Sequence, residues 1–217
     1  MVKNGRKKSG AQNFLCRSCG RQFLDHYFYR GANPIVKNLI IRHLLRGSGV
    51  RDTAYLLGIS AQTVLRTLAS VGGAVGFTPT QRHYHKVQID EQWSYVGAKK
   101  NKCWMFYAVC GQSGEILAAV WGKRTRKTLK LLLEQLKGLE IDFYCTDLWR
   151  PFTKVFAPQN HLRGKAYTKR IEGLNTWFRV RISRLRRRTT TFSKKEQNHI
   201  YHIQIAIQYR NNQPSFI

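Results

Sequence analysis

Three acids stand out in a chain that has few of them. With 38 Lys+Arg against 11 Asp+Glu in 217 residues, carboxylates are scarce enough that their placement is informative. Asp147 closes the alternation Ile141, Phe143, Cys145, with Asp142, Tyr144 and Thr146 on the other face. Its carboxylate is therefore expected at the carboxyl end of a buried strand, where open α/β sheets hold their ligands. Asp90 lies in KVQIDEQWSYVG, where Val87, Ile89, Glu91, Trp93 and Tyr95 share one face and Gln88, Asp90, Gln92 and Ser94 the other. Glu172 sits among Lys165, Lys169, Arg170, Arg179, Arg181 and Arg184; taken alone it reads as a solvated helix residue making i,i+4 pairs. Taken with two aspartates it reads differently. Two uncompensated anions side by side repel, and a hard divalent cation between them is the economical remedy. An Asp, Asp, Glu set can hold two such ions about 3.5–4 Å apart for in-line attack at phosphorus.

The elements that must position these acids follow from periodicity. KVQIDEQWSYVG, CWMFYAVC and EILAAVWG read as three strands joined by short turns, an antiparallel meander. Leu129, Leu132, Leu133 and Leu136 form a helix stripe, after which the strand ending at Asp147 returns. Three antiparallel strands, a crossover helix and a fourth strand parallel to the first open an α/β, ribonuclease H-like mixed sheet flanked by helices. That order makes neighbours of Asp90 and Asp147. On the helix carrying Glu172, the packing side is Ile171, Leu174, Phe178, Ile182 and Leu185, while Glu172, Asn175, Thr176 and Arg179 share another face. Arg179 falls two turns below the glutamate. The run RLRRR at 184–188 is expected to continue this helix, with Arg184, Arg186 and Arg187 tracking phosphates. Ser193 and Glu196 have the spacing of a capping box for a last helix with Ile200, Ile203 and Ile207 behind it. Glu91 faces away from Asp90 and reads as structural.

A formal charge of +27 far exceeds the magnitude of about 2–8 that keeps a small domain soluble, so the expected partner is a polyanion. The longest uninterrupted apolar run, Cys103 to Cys110, cannot span a bilayer, and no secretory h-region follows the basic start. Cysteine usage fits a reducing cytoplasm, with Cys103, Cys110 and Cys145 as buried strand residues. Residues 1–33 hold Cys16-Arg-Ser-Cys19-Gly20, one knuckle of a zinc ribbon. Zinc (Zn2+) needs four ligands, and only two are in view, since Asp25 and His26 match no common spacing. Residues 34–75 read as an all-α helix-turn-helix: Ile35, Leu39, Ile40, His43 and Leu44 on a first helix, Ala54, Leu56 and Leu57 on the next, Gly58 at the turn, Ser60 as N-cap, and Val64, Leu65 and Leu68 inward on the last. This leaves Gln62, Thr63 and Arg66 outward for base edges and phosphates. Residues around Gly72 to Thr80 make a linker, and 84–217 form the ribonuclease H-like domain.

From Asp90 to Gln213 the chain resembles the catalytic part of transposases of the insertion sequence 1 family, through IDEQWSYVGAKKNKCWMFYA at 89–108, TD at 146–147, HLRGKAYTKRIEGLN at 161–175 and RISRLRRRTTTFS at 181–193. The 24 residues between Asp147 and Glu172 match that family's short interval, and residues 14–70 resemble its N-terminal zinc finger and helix-turn-helix. The resemblance implies a cytoplasmic, nucleoid-associated DNA transposase. It implies strand cleavage and strand transfer at terminal inverted repeats and into target DNA, by a homo-oligomer on DNA. It implies magnesium (Mg2+, two ions, or Mn2+) on Asp90, Asp147 and Glu172. His161, Lys165, Thr168 and Arg179 map onto the family's pattern around the glutamate, which makes His161 and Arg179 catalytic candidates and Lys165 a DNA contact; a surface or core-edge histidine is the alternative for His161. Relatives carry a C-P-x-C knuckle ahead of a VKNG-like stretch, whereas this chain starts MVKNG, so the zinc site is expected to be incomplete; either codons upstream supply the missing half, which is the expected outcome, or this copy has lost its first knuckle. Two rivals remain. A helix-turn-helix regulator with an idle remainder would not need three acids at this spacing, and a ribonuclease H-fold nuclease would cut DNA lacking terminal repeats.

Overall fold

The computed structural model describes residues 1–27, 29–186 and 191–212; Arg187 and Arg188 of the basic run lie outside the described residues. The chain begins with a three-stranded antiparallel sheet of β1 (Val2–Arg6), β2 (Gln12–Leu15) and β3 (Gln22–Leu24). Phe14 and Phe23 stack at 5.5 Å across it. The tight turn carrying Cys16 and Cys19 is closed by Cys16 N–H donating to the Arg21 carbonyl and Gly20 N–H to that of Cys16, both at 2.9 Å.

Three helices follow: α1 (Pro34–Leu45), α2 (Val50–Leu57) and α3 (Ala61–Gly72). Each start has a physical cause. Pro34 opens α1 behind Asn33, whose side chain accepts from Ile35 N–H at 2.8 Å; the Asp52 carboxylate accepts from Gly49 N–H at 3.1 Å ahead of α2; and Ser60 Oγ accepts from Thr63 N–H at 3.1 Å ahead of α3. Gly58 takes the left-handed turn at φ 61°, a conformation that costs a side-chain-bearing residue about 1 kcal/mol. The turn glycine and the Ser60 cap are as the sequence reads. Leu56 is not on the packing face: it is 60% exposed, because Thr53, Ala54 and Leu57 fill the inward side of α2. Ile35 is likewise outward, with Val36 in its place.

The second half is a five-stranded sheet in the order β6-β5-β4-β7-β8, built from β4 (His83–Tyr95), β5 (Lys102–Cys110), β6 (Ile116–Gly122), β7 (Glu140–Thr146) and β8 (His161–Arg163). β4, β5 and β6 form the antiparallel meander, and β7 returns parallel to β4 with Ile89 opposite Thr146. α4 (Arg126–Leu136) makes the crossover and buries Leu129, Leu132 and Leu136 on one face of the sheet. The short α5 (Arg150–Thr153) brings Phe152 into the same cluster. On the opposite face lie α6 (Lys169–Arg181) and α7 (Glu196–Asn211).

The helical region packs on that same face. Ile40, Leu44, Val64 and Leu68 share one hydrophobic cluster with Tyr107, Phe178, Ile203 and Ile207. Contact is close enough that a Cβ added to Gly72 would lie 2.4 Å from that of Tyr201 on α7. The linker is tied down too: Glu115 accepts from Thr80 N–H and Oγ1, each at 2.8 Å, and from the Tyr84 hydroxyl at 3.1 Å. The change near residues 75–84 is thus one of element type rather than of packing.

Two expectations about the last third need correction. The helix carrying Glu172 does not run on through the basic cluster. It stops at Arg181, Ile182 is extended (φ −112°, ψ 101°), and Ser183–Leu185 form a 3-10 turn. Ser193 does not cap α7, whose first turn has no side-chain cap; its hydroxyl is used by Arg184 Nη1 at 3.0 Å and His199 Nδ1 at 3.1 Å. Among the described residues, no helix is long and apolar enough to cross a membrane.

Candidate active site

The parallel pairing of β4 with β7 sets Asp90, one residue past Ile89, beside Asp147, one past Thr146. Asp90 is half-buried. Its Oδ1 accepts from Glu91 N–H at 2.8 Å and its Oδ2 from Asn175 Nδ2 at 2.8 Å. Burial holds its carboxyl above the usual carboxylate range despite those two donors, and the charges of Asp147 and Glu172 push the same way. Both other acids therefore act electrostatically on Asp90. Asp147 Oδ1 accepts from Trp149 N–H at 2.8 Å, which fixes the carboxylate at the strand's end.

The helix carrying Glu172 is tied to β4 at its start. Thr168, ahead of the helix, makes no side-chain cap; Gln88 Oε1 instead accepts Ile171 N–H at 2.9 Å, within the first turn. One turn on, Asn175 grips Asp90, and its own Oδ1 accepts the Tyr107 hydroxyl at 3.0 Å. That hydroxyl also reaches the Ile171 carbonyl at 3.3 Å, from a ring that is 0% exposed. Gln88 and Asp90 point to one side of β4 and are two residues apart, so one strand face supplies both handles on the helix. Glu172 itself is exposed, in that helix's first turn.

His161 is at the site's border. It opens β8 opposite Tyr144, with Nε2 2.7 Å from Thr146 Oγ1. That hydroxyl donates to the Asp147 carbonyl at 3.0 Å, so the histidine is the donor and carries its proton on Nε2. Burial and the Arg163 charge both hold the ring below the usual histidine range. Arg179 is half-buried on α6, near enough for its charge to act on the Tyr107 hydroxyl. Lys165 is exposed in the 3-10 turn Lys165–Tyr167 just before α6.

Other expected DNA contacts divide. Gln62 and Arg66 are exposed on α3. Thr63 is engaged within the protein, its hydroxyl bonded to that of Tyr29 and, at 2.9 Å, to Ser60 Oγ. Arg184 is turned inward to Ser193, and burial lowers its guanidinium to about 10. Arg186 closes the end of α6, with Nε 3.4 Å from the Arg179 carbonyl and Nη2 3.1 Å from that of Val180. Arg184 thus serves a contact inside the fold, while Arg186, exposed, meets carbonyls that the helix end leaves free. Gln88, Asn175, Tyr107 and Thr146 were not singled out from sequence as site residues; the signal available was that Gln88 shares a strand face with Asp90, and Asn175 a helix face with Glu172.

As to metals, among the described residues no three His, Cys, Asp or Glu side chains are gathered tightly enough to hold an ion as they stand. At the N-terminal turn, the Ser18 hydroxyl, with help from the Cys19 N–H, holds the Cys16 thiol down at about 6, a setting that favours the thiolate. At the acid site the donor chemistry suits a hard divalent cation: Asp90, Asp147 and Glu172 offer only carboxylate oxygen, and Asp90, raised chiefly by burial, also feels the charges of the other two.

Comparison with known proteins decides what kind of site this is. The profile described as IS1 transposase matches residues 86–212, which include all three acids, and that of the InsA C-terminal domain matches residues 27–72. The chain belongs to the IS1 transposase family. The insertion element iso-IS1n protein InsB of Shigella dysenteriae is 38% identical over 112 residues, 52% of this chain and 86% of that one. The insertion element IS1 2 protein InsB of Escherichia coli strain K12 is 37% identical over 112 residues, 52% of this chain and 67% of that one. An IS1 transposase with a helix-turn-helix ahead of a ribonuclease H-like DDE domain is a DNA-binding protein, and the family is one that uses divalent metal.

Proposed function

We propose that the chain binds the terminal inverted repeats of its insertion sequence, cleaves DNA strands there and transfers them to target DNA, working as a homo-oligomer on nucleoid DNA. Asp90, Asp147 and Glu172 are its catalytic acids. The observation that carries this reading is the double attachment of α6 to β4, by Gln88 to Ile171 and by Asn175 to Asp90, which ties the helix bearing Glu172 to the strand bearing Asp90, itself parallel to the strand that leads to Asp147. A scaffold that only bound DNA would not need that arrangement. The three acids would hold magnesium or manganese; when bound, such ions supply Lewis-acid stabilisation of charge on the phosphate oxygens and a deprotonated nucleophile. The remaining work belongs to the chain. Asn175 and the Glu91 N–H fix Asp90, Trp149 N–H fixes Asp147, and the neutral His161 keeps Thr146 aimed at the Asp147 carbonyl. Arg179 and Lys165 would draw the phosphodiester in, and Gln62 and Arg66 on α3 would read base edges.

The test is a set of isosteric changes. Asp90→Asn, Asp147→Asn and Glu172→Gln are each expected to abolish metal-dependent cleavage of a repeat-bearing duplex while leaving its binding equal or slightly tighter, since removing an anion eases the approach of phosphate. Nicking at the wild-type rate by any of the three would remove that residue from the site. Equal cleavage of duplexes with and without the repeats would favour a nuclease.

A further inference from the structure

The backbone of Glu91 serves the site just described and its side chain has no part there, yet that side chain is a carboxylate 3% exposed, on the face of β4 opposite Asp90. Burying such a group costs several kcal/mol unless it is paired. Its partner is Arg124, in the loop between β6 and α4, which donates to Glu91 Oε1 through Nε at 2.7 Å and through Nη2. The guanidinium does more than neutralise it, for its centre lies 5.0 Å from the Trp104 ring and 4.8 Å from the Trp149 ring. Trp149 is packed in addition against Phe106 at 5.7 Å and Phe152 at 5.2 Å. The backbone N–H of this same tryptophan holds the Asp147 carboxylate. From these contacts we infer that Glu91 and Arg124 are positioning residues for Asp147: the pair locks the Trp149 ring between a cation and a phenyl cluster, and so fixes the main-chain donor that aims the acid. Pairing with arginine lets Glu91 do this without adding a fourth net anion beside three.

The inference rests on the reading of Asp147 as a catalytic acid, and the experiment separates the two. In the full chain, Arg124→Lys keeps the charge but loses the planar fork and its stacking, and the double change Glu91→Gln with Arg124→Met leaves no buried charge. Both are expected to keep wild-type circular dichroism and duplex binding. In metal-free protein the indole fluorescence should shift as the Trp149 ring loosens. Mn2+ binding, followed by electron paramagnetic resonance, should weaken about tenfold, the lower end of what loss of an orienting partner costs a metal site, with the Mn2+ midpoint for cleavage rising in parallel. Folded variants with wild-type fluorescence and Mn2+ binding would overturn the inference. So would loss of the fold in both, which would make the pair a fold-holding contact. Asp147→Asn is the control: if it still binds Mn2+ and cleaves, the reading of the acid fails, whereas a dead Asp147→Asn beside unaffected Arg124 variants sinks the positioning role alone.

Discussion

Asn175 is an amide spending both ends, giving a hydrogen to Asp90 and taking one from Tyr107. An amide in a helix is chemically silent in a sequence, whereas three acids among so many bases are conspicuous; that contrast is why Asp90, Asp147 and Glu172 stood out as candidates and Asn175 did not. Its removal should matter all the same. Asn175→Ala is expected to lower cleavage about 10–100-fold, as loss of a ligand's orienting partner does, with duplex binding unchanged in a gel-shift titration. Tyr107→Phe deletes only the buried hydroxyl and is expected to lower stability by about 1–2 kcal/mol, read as a shift in urea midpoint. Arg184 shows the opposite failure. A guanidinium in a run of guanidiniums reads as a phosphate contact, and the inward turn toward Ser193 depends on a backbone break that no neighbouring residue announces.

That break belongs to the scale of the element. Ile182 and Leu185 keep apolar spacing with Phe178, so the pattern reads as uninterrupted helix. A 3-10 turn repeats every three residues, however, and lets Leu185 stay buried after the helix has stopped. Periodicity alone does not separate the two. The sheet order and the crossover were legible because each strand is bounded by turn residues, and parallel return after a helix leaves few topologies. The handle on α6 was not, since it joins residues 83 apart in sequence. Gln88→Leu fills the same space but leaves Ile171 N–H buried and unpaired, at a cost of about 1–3 kcal/mol. Glu172 sits in the turn that would loosen, so cleavage should fall more than the melting temperature suggests. Arg186→Ala is expected to destabilise the protein while leaving the salt dependence of duplex binding as it was, whereas Lys165→Ala should reduce the log–log slope by about 0.9, one phosphate's worth.

At the scale of the whole molecule, two histidines on α7 stand in for the apolar residues that such a position favours. His199 lies between Ser94 and Ser193, and His202 Nε2 donates to the Leu44 carbonyl at 3.1 Å, joining α7 to α1. Burial, with Arg184 nearby, takes them from 6.5 down to about 4 and about 3. Between those values and 6.5 the unfolded chain binds protons that the folded one refuses, so this contribution to stability is full above about pH 6.5 and declines as the pH falls. The raised Glu91 and Asp90 carboxyls act the other way over the same range, so the histidine share is read by difference. Urea midpoints should fall less, or rise more, from pH 7 to pH 5 in a His199→Gln, His202→Gln variant than in the wild type. An identical pH dependence in the two would show these rings charged in the fold. His199, His202, Ile203, Ile205, Ala206 and Ile207 are all buried, more of the helix's circumference than one stripe of Ile200, Ile203 and Ile207 foretells. That breadth marks a helix covered on two sides, and what covers the second side lies over a hundred residues away, out of reach of any local pattern.

The close seating of Gly72 on Tyr201 has a bearing on inheritance. A DNA-reading head on a loose tether could be traded between elements like a bead, carrying its preference for one terminus to a new engine. Here the head and the engine share a wall. A transplanted head would arrive with α1 and α3 surfaces shaped for another α7, and a chimaera spliced within the linker would bury misfitting side chains where this one buries a glycine against an aromatic ring. Viable exchanges would have to move α7 together with the head, two stretches at opposite ends of the chain, so the halves are bound to change in step.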